Sequence, residues 1–182
     1  MTRPTTEEKG LAKRIIVEII RQAGGTFDNK TNLFKAFYYA HLRYADTQPG
    51  YLSNWPIVRM PRGPGIHDFD VLLGELMAEG EVETKQVDWG NCSGFRFSLC
   101  EEAAEPSPLP AVALEAITFG VREVSGKSAA QVSRESHESS RAWRNAQDGE
   151  ELNIYVDTIP EEEYQRRTKR MRDSAAVFSD WL

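Results

Sequence analysis

The sequence predicts an α+β fold that is mainly helical, with a winged-helix-like N-terminal lobe, containing a β-hairpin, packed on a helical C-terminal lobe. Three observations support this prediction. Apolar residues recur at helical spacing in three N-terminal segments, two segments with strand-like alternation follow them, and a Pro-rich stretch separates both from further helical segments. The same features place the chain among ordinary globular proteins.

The first helix is predicted over residues 6–23. Thr5 and Glu8 form a capping-box pattern at its start, because a Thr side chain and a Glu three residues later can satisfy each other's backbone N–H groups. Apolar residues then recur on one face, and two glycines follow the last of them. The spacing therefore predicts an amphipathic helix with a defined beginning and end.

The second helix, over residues 31–44 with Asp28 or Asn29 as its cap, is apolar on nearly every side. Such a helix is either central to a core or half of an interface. Residues 45–65 contain several prolines and glycines and are predicted to be a loop, with room for a short strand at 55–58.

A third helix is predicted over residues 66–79, followed by antiparallel strands at 81–87 and 94–99 across a turn at 90–91. Three helices and a two-stranded hairpin form the order of a winged helix. The hairpin carries both cysteines, Cys92 and Cys100. Two free thiols are the favoured interpretation, and a cross-strand disulfide stays open as the alternative.

The chain has 182 residues, the length of one domain or of two small lobes that share an interface. We interpret it as a single domain with a first lobe over 1–100, a linker over 101–110 that is rich in Pro, Glu and Ala, and a helical second lobe over 111–182. A chain of this length can bury enough surface to fold without a disulfide or a metal.

The second lobe begins with a predicted helix over 111–124 and a shorter one over 129–137. Ser128 and Gln131 form a capping-box pattern for the shorter helix, and Trp143 follows in a turn or a further short helix.

After an extended segment at 152–156, the last helix begins at Pro160 with three glutamates in its first turn. The basic run at 165–172 could neutralise phosphates, but the preceding glutamates favour a solvated helix with i,i+4 ion pairs.

Composition argues against several classes of partner. The net charge of −6 disfavours bulk affinity for nucleic acid or an anionic membrane surface. No apolar run approaches the roughly 20 residues that span a bilayer, and the N-terminus lacks the apolar region of a secretory signal. We therefore expect a cytoplasmic protein with no membrane partner.

No zinc-protease, phosphate-loop, serine-hydrolase or paired Cys-x-x-Cys motif occurs in the sequence, so we expect no enzymatic activity, no cofactor and no metal site. His67, Asp68 and Asp70 come nearest to a metal cluster, but their spacing on a helix does not make them converge. Ser136 and His137 lie beside an acidic residue, and neighbouring helical residues point about 100° apart, which is not a triad geometry.

Two stretches together resemble a known family. Residues 32–41, Asn-Leu-Phe-Lys-Ala-Phe-Tyr-Tyr-Ala-His, are similar to the opening helix of the Panacea domain, and residues 127–143 are similar to its Ser, His and Trp segment. The motif residues are Trp55, Gly63, Pro64, Ser128, His137 and Trp143. The resemblance covers about residues 30–152, and Arg62 departs from it by replacing an aromatic residue.

The Panacea, or SocA-like antitoxin, family belongs to bacterial and prophage toxin–antitoxin systems. The resemblance implies an antitoxin that neutralises a toxin encoded nearby by direct contact, and in at least one branch the toxin is delivered to a protease. It implies no enzymatic activity. Gly63, Pro64, His137 and Trp143 would be architectural, fixing a turn and docking the second lobe on the first, with Trp143 substantially buried between them.

Two further expectations concern binding. The alternative function is a winged-helix DNA-binding regulator that uses the 66–79 helix, although that helix carries acidic residues and no Lys or Arg. The best candidates for partner-binding residues lie near the end of the sequence, where large apolar side chains follow a charged helix. They would pack on the chain's own core, on a second copy in a homodimer, or on the toxin: Val177, Phe178, Trp181 and Leu182.

Overall fold

The structure, a computed structural model, describes residues 4–90, 92–100 and 109–179, with the backbone alone at 89, 92 and 174–179. Helix accounts for 58% and strand for 16% of the residues that the structure describes, which confirms the predicted α+β, mainly helical class. The elements are α1 (Thr6–Gln22), β1 (Thr26–Asp28), α2 (Lys30–Thr47), β2 (Ile57–Met60), β3 (Gly63–Ile66), α3 (Phe69–Ala78), β4 (Val82–Trp89), β5 (Cys92–Leu99), α4 (Ala111–Val124), α5 (Ala129–Ser139), α6 (Arg141–Asn145), α7 (Tyr155–Thr158) and α8 (Glu161–Ser179).

The predicted hairpin of β4 and β5 is part of a three-stranded antiparallel sheet with the order β1-β5-β4. Strand β1, which the sequence pattern did not predict, pairs Phe27 with Phe97 of β5. The order α1, β1, α2, α3, β4, β5 is that of a winged helix. A second hairpin, β2 and β3, is inserted between α2 and α3.

The inserted hairpin corrects three predicted boundaries. The strand predicted at 55–58 lies at Ile57–Met60, and α3 begins at Phe69 instead of residue 66 because Gly63–Ile66 pairs with β2 as a strand. The segment predicted as extended at 152–156 is not a strand. The preceding residue, Glu151, forms an isolated bridge with Val58, and α7 begins at Tyr155.

Helix caps follow the sequence closely. The Thr5–Glu8 capping box is present in full. Asn29 caps α2 by accepting a hydrogen bond from the backbone N–H of Thr31. Ser128 accepts from the N–H of Gln131, but the Gln131 side chain donates to Glu135 instead of completing a second box.

Helix α2 lies at the centre of the core, as its apolar surface predicts. It packs closely on α4, where a Cβ added at Gly120 would lie within 3.0 Å of backbone atoms of Ala36 and Ala40. Buried residues from α1 to Ile154, just before α7, form one continuous apolar cluster that joins the segments on both sides of the linker. Linker residues 101–108 themselves lie outside the described residues.

Helix α8 is exposed on most sides over its described side chains, and Met171 is 74% exposed. Glu163 pairs with Arg166 and Arg167, in keeping with the predicted solvated helix. None of the helices in the described part of the chain combines the length and the apolarity needed to cross a bilayer.

Candidate functional site

Four residues of the resemblance motif come together where β3 begins: Gly63, Pro64, His137 and Trp143. Gly63 has a φ of 97°, and a Cβ at this position would lie within 3.0 Å of the Lys35 ammonium nitrogen, the Ser136 hydroxyl and the His137 ring. Both the backbone conformation and the space therefore require glycine. The turn between β2 and β3 is in this way fitted against α2 and α5.

Trp143, on α6, docks the same hairpin. Its ring stacks on His137 with centroids 4.2 Å apart and planes at 4°, and the Arg59 guanidinium lies 4.6 Å from its centroid. The indole N–H donates to the carbonyl of Met60 at 2.8 Å, and Arg59 Nε donates to the carbonyl of Trp143 at 3.2 Å. Trp143 is partly buried, less than we expected, since its main contacts are this stack and the hairpin edge.

Lys35, which sequence reasoning did not single out, lies at the centre of this arrangement. It is fully buried on α2 and donates to the carbonyl of Pro64 at 2.7 Å. Burial lowers its pKa to about 7, because a low-dielectric environment disfavours the ammonium form. A single Lys within an otherwise apolar helical segment was the signal that could have identified it.

We call Lys35, Gly63, Pro64, Ser136 and His137 the lysine cluster. Ser136 is fully buried and donates to the carbonyl of Ser133 at 2.8 Å. The buried Nε2 of His137 has no hydrogen-bond partner among the residues that the structure describes. The cluster is packed and enclosed, so its polar groups fix the positions of α2, α5 and the hairpin.

Trp55 and Ser128, the other two motif residues, lie apart from the lysine cluster. Ser128 caps α5, whereas Trp55 is buried and donates from Nε1 to the carbonyl of His67 at 2.8 Å. Close to Trp55, His41 is buried with its ring nitrogens 2.9 Å from the Phe37 carbonyl and 2.8 Å from the Ser53 hydroxyl. Burial lowers the pKa of His41 to about 4, so its imidazole is neutral at pH 7.

A second polar junction joins α2 to α6 and α7 through Asp157. Its carboxylate accepts from the Tyr38 hydroxyl at 3.3 Å, from the Ser140 hydroxyl at 2.7 Å and from the Ala142 N–H at 2.9 Å. Burial, and next the negative charge of Asp157, raises the pKa of Tyr38. The Tyr38 hydroxyl therefore remains a hydrogen-bond donor.

A cleft of about 360 Å³ opens between the loop at 51–57 and the segment at 151–154. We call it the tyrosine cleft. Tyr51 forms one wall, packed on Tyr155 with ring centroids 4.6 Å apart. Its lining comprises His41, Tyr51, Ser53, Asn54, Trp55, Pro56, Ile57, Glu151, Leu152, Asn153 and Ile154.

The residues considered for metal binding do not converge. His67 Nε2 lies 3.3 Å from Asp68 Oδ2, while Asp70 forms an ion pair with Lys30. Within residues 4–90, 92–100 and 109–179, no group of three or more potential metal ligands comes together. Cys100 carries a free thiol, and the Cys92 side chain lies outside the described part of the chain.

The residues predicted to bind a partner near the end of the sequence also lie beyond what the structure describes. Val177 and Phe178 belong to α8, but their side chains are outside the described atoms, as are Trp181 and Leu182 altogether. Their role stays a prediction.

Comparison with known proteins gives no matching family model, no matching curated protein and no matching solved structure.

Proposed function

We propose that this protein is an antitoxin-like cytoplasmic protein that neutralises a partner toxin by direct protein–protein binding. The supporting observation is the way the motif residues are used. Gly63, Pro64, His137 and Trp143, which carry the resemblance, meet in one packed junction between the hairpin, α2 and α5. The resemblance implies an architectural role for these residues, and a shared junction supports the proposal.

The burial of the titratable groups also favours binding over chemistry. Lys35 and His41 have pKa values lowered to about 7 and about 4. Lys35 is fully enclosed, and both ring nitrogens of His41 are bonded to the protein. Perturbed groups of this kind occur in structural junctions as well as in active sites. Their enclosure is compatible with a structural role, and we propose that the protein acts through a contact surface.

Surface features of α3 are compatible with protein binding. Val71 is 51% exposed and Met77 is 43% exposed on this helix, which also carries Asp70 and Glu75. Exposed apolar side chains with a charged rim are typical of protein interfaces. In the proposed function the exposed residues of α3, the tyrosine cleft and α8 are the surfaces to be mapped.

The test is co-expression with the reading frame that genome sequencing places next to this one. We expect that frame alone to arrest growth, co-expression to restore growth, and the two purified proteins to elute as one complex. A neighbouring product that is harmless, or growth rescue without a complex, would contradict the proposal.

A role as an adaptor for proteolysis is tested in the same cells by following the toxin after synthesis is blocked. A shorter toxin half-life in the presence of this chain supports delivery to a protease. An unchanged half-life with full rescue supports neutralisation by contact alone.

The alternative function, a winged-helix DNA-binding regulator, is favoured by the strand order β1-β5-β4. Charge opposes it. On α3 and at its end, Glu75 and Glu79 face Lys9 and Lys13 of α1, with the closest N–O distances 2.7 Å for Lys9–Glu75 and 2.5 Å for Lys13–Glu79. Lys9 and Lys13 are therefore paired with carboxylates of the protein itself, which weakens the case for DNA phosphates as their partners.

Fluorescence anisotropy with a labelled duplex of the upstream region, at low and at physiological salt, separates the two functions. A DNA-binding regulator would show affinity that falls steeply with salt as counterions are released. Under the antitoxin proposal we expect no saturable binding at physiological salt.

A further inference from the structure

In the described part of the chain, three arginines share one arrangement. In each, the guanidinium lies over an aromatic ring and also pairs with a carboxylate, which combines a cation–π contact with an ion pair. The three are Arg43 (5.5 Å from the Phe119 centroid, 3.5 Å from Asp46), Arg59 (4.6 Å from the Trp143 centroid, paired with Asp148) and Arg141 (4.8 Å from the Tyr164 centroid, 3.3 Å from Glu161).

The tyrosine cleft also contains an aromatic ring, that of Tyr51, and a carboxylate, that of Glu151, but its lining residues include no Lys or Arg. The hydroxyl of Tyr51 donates to Asn153 at 3.3 Å, and its ring is held by Tyr155. Tyr51 and Glu151 line the same cleft. Burial, then Tyr155 and then the charge of Glu151 raise the pKa of Tyr51. In the described part of the chain, Glu151 forms no ion pair and its carboxylate accepts no hydrogen bond.

The charge of the cleft is also suited to a cation. Glu151 is the one formally charged residue among its lining residues, which include no Lys or Arg. His41 does not oppose it, because the imidazole is buried, bonded at both nitrogens and neutral. The neighbouring cleft on the other side of residues 151–153 differs, since its Tyr164 ring is already covered by Arg141.

We infer that the tyrosine cleft binds a guanidinium group, which lies against Tyr51 and pairs with Glu151. A guanidinium fits better than an ammonium, because it is planar, stacks on aromatic faces and is more weakly hydrated. A cleft of about 360 Å³ has room for the side chain and the backbone that carries it. The inference does not depend on the proposed antitoxin function.

The experiment is an NMR titration of the full chain with N-acetyl-arginine amide, compared with N-acetyl-citrulline amide, its uncharged isostere. We expect saturable shifts at residues 51–57 and 151–154 with the arginine probe. The citrulline probe should bind at least about tenfold more weakly, since it cannot form the charged hydrogen bond. N-acetyl-lysine amide should lie between the two.

Two variants provide the matched comparison. Glu151→Gln keeps the size of the side chain and should weaken binding of the arginine probe about tenfold. Glu83→Gln, an exposed position on β4, should leave binding unchanged. Equal melting temperatures establish that both variants are folded.

The source of the guanidinium is distinguished by a capped Ala-Ala-Arg-Ala-Ala peptide. Tighter binding of the peptide than of the single residue assigns the site to an arginine of a protein segment, and equal binding assigns it to a small guanidinium compound. Absence of saturable binding, equal affinity for citrulline, or full binding by Glu151→Gln overturns the inference.

Discussion

The two sides of α2 are buried by different means. One side packs on α4 through small residues, with Ala36 and Ala40 against Gly120. The other side presents Lys35 to the β2–β3 hairpin and Tyr38 to Asp157, so that hydrogen bonds fix its neighbours. Burial of apolar surface is non-directional, whereas a buried hydrogen bond specifies one partner. The comparison indicates that the α4 side supplies stability and the hairpin side supplies a unique arrangement.

Gly120→Ala should disrupt the packing of α2 on α4 more severely than any other substitution considered below. The new methyl group would lie within 3.0 Å of backbone atoms of α2, which cannot move aside as a side chain can. We expect a loss of more than about 3 kcal/mol in the free energy of unfolding, measured by urea denaturation. Gly74→Ala, at an open position on α3, is the control and should stabilise by about 0.5 kcal/mol. Equal effects at the two positions would contradict the close packing.

On the hairpin side, Lys35 predicts a dependence of stability on pH. Its pKa is about 7 in the folded protein and lies near the ordinary 10.5 in the unfolded chain. Below pH 7 both states keep the proton and the cost of the buried ammonium is fully present. As pH rises from 7 towards 10.5 the unfolded state holds more protons, so stability increases.

The free energy of unfolding should therefore rise by about 3 kcal/mol between pH 7 and about pH 9.5, relative to Lys35→Met, which lacks this titration. Denaturant melts of both proteins at the two pH values measure the difference. Lys85→Met, at an exposed position on β4, is the matched control and should follow the parent protein. A parallel pH dependence of Lys35→Met and the parent would rule out the lowered pKa.

His137 separates packing from hydrogen bonding in the lysine cluster. Since its ring stacks on Trp143 and its buried Nε2 has no partner in the described residues, ring area should matter more than the nitrogen. His137→Ala should lose about 2 kcal/mol in thermal or urea unfolding, and His137→Phe less than about 1 kcal/mol. If Phe is as damaging as Ala, the imidazole has a polar role that stacking does not explain.

The smallest effect is expected at Tyr38. Tyr38→Phe removes one of three hydrogen bonds to Asp157, whose remaining partners keep the carboxylate in place. We expect a loss of about 1 kcal/mol. Tyr44→Phe, on the same helix, serves as control and should change stability little. A loss several times larger would show that the Asp157 junction, and not the α4 side, dominates the stability of α2.

The helix caps and the central position of α2 could be predicted from the sequence. The capping box at Thr5 and the all-round apolar character of α2 report local and non-directional effects, which depend on residue order alone. Strand β1 was missed because three residues are too few to show an alternating pattern. Strand β3 was missed because Gly63 and Pro64 normally interrupt regular structure, and it exists only through its pairing with β2.

The site was predicted less completely. The resemblance marked Gly63, His137 and Trp143, but their meeting depends on how α5 and α6 lie against the hairpin, which sequence spacing does not encode. Lys35 was overlooked because a helix that is apolar on all sides predicts burial, and burial predicts no charge. The tyrosine cleft joins residues 51–57 to residues 151–154, which no local pattern connects.

The position of α2 has a consequence for synthesis on the ribosome. Its core partners α4 to α7 are encoded up to residue 158, more than 100 residues after α2 ends. At ordinary elongation rates, on the order of ten seconds pass between the emergence of α2 and that of α7. During this interval the side of α2 that packs on α4 in the folded protein has no partner, so the core is completed only after the second half of the chain has emerged.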